Sequence, residues 1–96
     1  MLKKMRVYLK NRSLLYISGS DSESFLQSQL TNDISKLGKS EIQINAYCQH
    51  QGKIIGLFWV MRYQDGFLMS FPIDLLEKIK SRLEIFVIMS DVVIED

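Results

Sequence analysis

The chain is short of almost every residue type that announces a chemistry. Its 96 residues include one cysteine, one histidine, one proline and one tryptophan. A lone Cys48 excludes an internal disulfide and suits a reducing, cytoplasmic setting. Cys48 and His50 make only two of the four ligands a structural zinc site takes. They read as a buried thiol and a turn histidine, with a share in a site completed by another chain as the alternative. No serine or cysteine stands with His50 in a nucleophile motif, so no triad is indicated. The five glycines are isolated and form neither a dinucleotide fingerprint nor a phosphate loop.

Charge of one sign is missing too. Twelve basic and eleven acidic residues leave +1, too little to steer the protein toward nucleic acid or an anionic membrane. The longest nearly apolar run, Ile54 to Met61, is too short to span a bilayer. The basic start, Met1 to Lys10, lacks the continuous apolar stretch and cleavage site of a signal peptide. Ninety-six residues without a linker or repeat predict one domain, residues 1–96.

What is present is patterning. Leu14 to Ile17 is an apolar run ending at Gly19, expected to be a buried strand. Ser20 and Glu23 have the spacing of a capping box, and Phe25, Leu26 and Leu30 give the helix that follows a face to bury. Thr31, Asn32 and Asp33 favour side-chain bonds to nearby backbone and should stop that helix. Glu41 to Cys48 alternates as a strand, with Ile42, Ile44 and Ala46 on one side and Gln43, Asn45 and Tyr47 on the other.

Gln49 to Gly52 then reads as a polar hairpin connection. Ile54 to Tyr63, apolar on both faces, predicts a central strand covered on each side. Asp65-Gly66 predicts a hairpin turn and Phe67 to Phe71 the returning strand. Pro72 suits a first helical position, ahead of a stripe made by Leu76, Ile79, Leu83 and Phe86. Val92 to Ile94 is a last strand, and Arg6 to Leu9 a frayed extra one. The expected fold is α+β: an antiparallel sheet with two helices on one face, in the order β-α-β-β-β-α-β.

One string is specific. Gly19, Asp21, Ser22 and the run Phe25-Leu-Gln-Ser-Gln-Leu-Thr-Asn-Asp33 resemble the opening of the folate-binding YgfZ proteins, relatives of the glycine-cleavage aminomethyltransferase. Ser28 stands where that family has glycine. Cys48, Gly52-Lys53 and Asp65-Gly66-Phe67 fall in step with it. The resemblance implies the N-terminal part of a GcvT/YgfZ-like folate-binding domain. It further implies tetrahydrofolate as ligand, a role in iron–sulfur cluster assembly or repair and, indirectly, in tRNA modification. Iron–sulfur proteins or their assembly factors would be indirect partners, and no direct contact with nucleic acid or membrane is expected.

The family's proteins are longer. Their Lys-Gly-Cys-Tyr signature lies beyond Asp96, so Cys48 is not its cysteine, and a truncated chain would be open to self-association through the surface left bare. In the aminomethyltransferases, paired aspartates occupy the positions of Gly56 and Leu57. Neither residue here can take a proton or pair with a folate amine, so aminomethyl transfer is not expected. The resemblance leaves Leu57, Trp59 and Met61, on one side of their strand by its two-residue period, as an apolar wall for folate. Trp59 would stack on the pterin. Plain core packing is the alternative for all three.

Overall fold

The computed structural model describes residues 11–48, 54–87 and 90–96. The strand expected at Arg6 to Leu9 and the connection at Gln49 to Gly52, with His50, lie outside the described residues. Five strands, β1 (Arg12–Ser18), β2 (Gln43–Cys48), β3 (Ile54–Tyr63), β4 (Gly66–Pro72) and β5 (Val93–Glu95), form one sheet in the order β2-β3-β4-β1-β5. Every pairing is antiparallel. Helix α1 (Ser22–Gln29) joins β1 to β2 through a 3-10 turn at Ile34–Lys36. Helix α2 (Leu76–Phe86) follows a second such turn at Ile73–Leu75. The expectation of an α+β fold with an antiparallel sheet and two helices is met.

The core lies between one face of the sheet and both helices. Leu15 and Ile17 of β1, Phe58 and Val60 of β3, and Met69 and Phe71 of β4 are fully buried and pack against Phe25 and Leu26 of α1 and Ile79 and Leu83 of α2. The Phe58 and Phe71 rings lie 5.0 Å apart, and Tyr47 meets Phe58 edge-on at 5.8 Å, a geometry aromatic quadrupoles favour. Only the middle of the α2 stripe is buried: Leu76 lies at the margin of the core and Phe86 is exposed.

Four local expectations are revised by tertiary contacts. First, Ser20 does not cap α1. Its hydroxyl and amide both donate to the Asp91 carboxylate, at 2.7 and 3.1 Å, while Glu23 pairs with Arg62 at 2.7 Å. Bonds to a carboxylate outcompete a neutral local cap. Second, Pro72 ends β4, paired with Arg12, rather than opening α2. Its extended ψ of 138° continues the strand, and the helix begins one turn later.

Third, the hairpin turn is Gln64-Asp65, with φ of 50° at Gln64. Gly66 is required by proximity instead, since a Cβ there would lie 2.1 Å from the Ile17 carbonyl oxygen. Fourth, β3 is not covered on both sides. Phe58 and Val60 are buried, but Leu57 is 58% and Trp59 39% exposed. A sheet with helices on one face only leaves its other face uncovered by them, and there the β2–β3 part is exposed while Leu14, Leu68 and Ser70 are buried.

Candidate functional site: the helix-free face of the sheet

Alternation along β3 puts Leu57, Trp59 and Met61 together on the face opposite the helices. The register brings Ile44 beside Trp59 and Ala46 beside Leu57 on β2, and Ser70 and Leu68 beside Trp59 and Met61 on β4. Ile44, Leu57 and Trp59 are exposed, whereas Met61 is half-buried. A contiguous apolar patch of this kind marks a binding surface more strongly than scattered exposed residues do. The polar members of β2 go the other way: Asn45 and Tyr47, at 1% and 3% exposure, lie on the helix side.

A residue without a local sequence signal completes the face. Arg12 opens β1, two strands from Trp59 in the sheet. Its guanidinium lies 3.9 Å from the centroid of the indole. Arg12 Nε donates to Ser70 Oγ at 2.8 Å and Nη2 to the Ser70 carbonyl at 2.9 Å. A guanidinium stacked on indole and held by two bonds is a fixed cation, not a freely moving one. Further along the same face, Tyr16 and Tyr63 meet edge-on at 5.7 Å.

Gly56 and Leu57 diverge. A side chain at 56 would point toward the helix side, its Cβ 2.9 Å from Leu75 Cδ1 and 3.4 Å from Phe58 Cε1. Leu57 faces out. An irregularity in β3 occurs beside Gly56: pairing steps from Tyr47–Gly56 to Cys48–Ile54, leaving Ile55 as the extra residue of a bulge.

The polar end of the specific string is structural. Gln27 accepts from the Ile34 amide at 2.7 Å and donates to the Asn32 carbonyl at 3.0 Å, clasping the helix exit. Thr31 Oγ1 accepts from the Ala46 amide, and the Asn32 side chain donates to the Ile44 carbonyl. The Asn32 amide donates to buried Asn45 at 2.7 Å, and Asp33 caps the 3-10 turn through the Ser35 amide and hydroxyl. These bonds also occupy main-chain groups along β2, an edge strand whose open ladder would otherwise invite pairing.

Two carboxylates have pKa values below the ordinary range. Asp33 is lowered chiefly by the Ser35 hydroxyl and Asp91 by the Ser20 hydroxyl, each helped by the same residue's amide. Neither lies on the helix-free face. Two shallow clefts of about 460 and 330 Å³ flank α1. The cation in the second, Arg62, is already held by Glu23 and by the Leu37 and Ile34 carbonyls. Among the described residues, no three His, Cys, Asp or Glu side chains are grouped to hold a metal ion, and no helix is long and apolar enough to cross a membrane.

No family model matches the chain. Over 61 residues it is 39% identical to the tRNA-modifying protein YgfZ of Enterobacter sp. (strain 638), a match covering 64% of the chain and 19% of that protein. Over 59 residues it is 39% identical to the YgfZ protein of Buchnera aphidicola subsp. Schizaphis graminum, covering 62% and 18%. The resemblance to YgfZ holds. The chain thus spans about a fifth of the length of these YgfZ relatives. The glycine cleavage system aminomethyltransferase T of Bartonella henselae shares the fold of this YgfZ-like chain. Its TM-score is 0.81 at 14% identity, over 88% of the chain and 24% of the enzyme.

Proposed function

We propose that the chain is a non-catalytic tetrahydrofolate-binding module of YgfZ type. In this reading it supports iron–sulfur cluster assembly or repair and, through that, tRNA modification. The observation that carries the proposal is the composition of the helix-free face: an apolar wall of Leu57, Trp59 and Met61, beside an arginine locked against the indole. Apolar, aromatic and cationic groups on one surface fit a ligand that is flat and aromatic at one end and carboxylated at the other.

A folate bound there would rest its ring system at the Leu57 end of this wall, and this chain's part would be to orient it and shield one side from water. Aminomethyl transfer is not proposed. Position 56 points toward Leu75 and Phe58, and position 57 presents a hydrocarbon, so neither supplies a carboxylate to a folate amine.

Calorimetric titration of the intact protein with tetrahydrofolate should give a saturable binding isotherm, and a flat trace at millimolar ligand overturns the proposal. Transfer of a methylene group from an aminomethyl carrier to tetrahydrofolate would restore the enzymatic alternative. A second reading has its own observation: exposed apolar surface continues onto Ile42 and Ile44. Protein rather than folate would then cover the face. Concentration-dependent self-association by light scattering, without folate affinity, would favour it.

A further inference from the structure

We propose that Arg12 is the anion-binding residue of the helix-free face, receiving a carboxylate of the folate's glutamyl tail, with Trp59 and Ser70 as its positioning residues. The inference rests on the tetrahydrofolate reading above.

The reason is an unused charge. A guanidinium carries five N–H donors in a rigid fork. Arg12 commits Nε and one donor of Nη2 to Ser70. Among the described residues, no carboxylate forms an ion pair with it. Arg62 provides the contrast: it lies on β3, two strands away, and its charge is met by Glu23 at 2.7 Å. A cation immobilised with no ion-pair partner among the described residues, and with donors left over, matches a carboxylate.

The stack also revises the role expected of Trp59. At 3.9 Å from the centroid the guanidinium covers one face of the indole, so that face does not hold a pterin. Trp59 instead fixes the direction in which the Arg12 fork points. The Ser70 bonds do the same from β4. The bound folate therefore lies with its ring system toward Leu57 and its glutamyl end toward β1.

Trp59 is the one tryptophan of the chain, so intrinsic fluorescence reports on the stack itself. The intact protein is titrated with 5-formyltetrahydrofolate and with the matching tetrahydropteroate, which lacks the glutamate. Calorimetry runs in parallel, at low and high salt. The wild-type protein should prefer the glutamate-bearing ligand by roughly ten-fold or more, the scale of a charge-assisted bond. That preference should shrink as salt rises.

Arg12→Gln should bind both ligands as the wild type binds tetrahydropteroate. Arg12→Lys, which keeps the charge and loses the fork, should fall between. Circular dichroism checks that the variants fold. Should Arg12→Gln not fold, the wild-type ligand comparison and Arg12→Lys decide the matter. Equal wild-type affinity for the two ligands, or a preference that survives Arg12→Gln, overturns the role of Arg12 and leaves the folate reading standing. Binding of neither ligand removes both.

Discussion

The two faces of the sheet are built from the same strands and follow opposite rules. On the helix side, Phe58, Val60, Met69 and Phe71 have no exposed surface, and even Asn45 is sealed in. On the other side, one residue along the same strand, Leu57 and Trp59 are exposed and an arginine is laid on the indole. Burial of apolar area, at roughly 25 cal/mol per Å², explains why the first face holds the fold together. It does not explain an open apolar surface, which adds little to the stability of the described chain. The first face is the scaffold, and the second is where a ligand or partner is to be sought.

Adjacent residues on β3 give the sharpest test of that contrast. Phe58→Ala should cost about 3–5 kcal/mol, the range for a large aromatic removed from a packed core. Leu57→Ala should stay within about 0.5 kcal/mol. Urea unfolding of the two variants measures both, and similar losses would mean that the outer face is covered as tightly as the inner. If the ligand proposal holds, folate affinity should respond in the reverse order among variants that fold.

A smaller effect is expected at the clasp between the α1 exit and β2. Asn45 accepts from the Asn32 amide at 2.7 Å and donates to Gln43 at 2.8 Å while almost fully buried. Asn45→Ala leaves a hydrogen-bonding group without its partner and should cost about 1–3 kcal/mol. It should also loosen the guard on the β2 edge, seen as faster amide exchange at Ala46. Exchange unchanged from wild type would detach the string from its structural role.

The smallest effect is electrostatic. Asp91 has its pKa lowered from 3.8 by the Ser20 hydroxyl and amide. Its stabilising contribution is thus complete above the unfolded value and disappears as pH falls through the lower folded value. The melting temperature should therefore fall below pH 3.8 more steeply in the wild type than in Asp91→Asn. Parallel curves would show that the tie between the α1 start and the β5 approach is carried by its main-chain bonds.

Strand and helix positions were largely legible because their signals are local. The stripe of α2, the alternation of β2 and β3, and the hairpin between β3 and β4, expected one residue later than it falls, each reside within a few residues. Errors arose where a distant group competed for a local one. Ser20 turned to Asp91, and Gly66 answers to the Ile17 carbonyl rather than to turn geometry. In the candidate site, the grouping of Leu57, Trp59 and Met61 was legible from a two-residue period. Arg12 was not: its anchor Ser70 is 58 residues away, and no local pattern reports such a meeting.

By itself, the sequence determined which residues share a side of each strand, where helices interrupt the sheet, and that the chain resembles a YgfZ segment. These follow from backbone periods of 2 and 3.6 and from a specific string of side chains. Only the tertiary structure decided which side faces the helices, why Asn45 lies inside while Ile44 lies outside, and that Arg12 rests on Trp59. Periodicity divides a strand into two faces but does not choose between them. That choice belongs to the helices, whose apolar stripes cover one face of the sheet and leave Ile44, Leu57 and Trp59 exposed on the other.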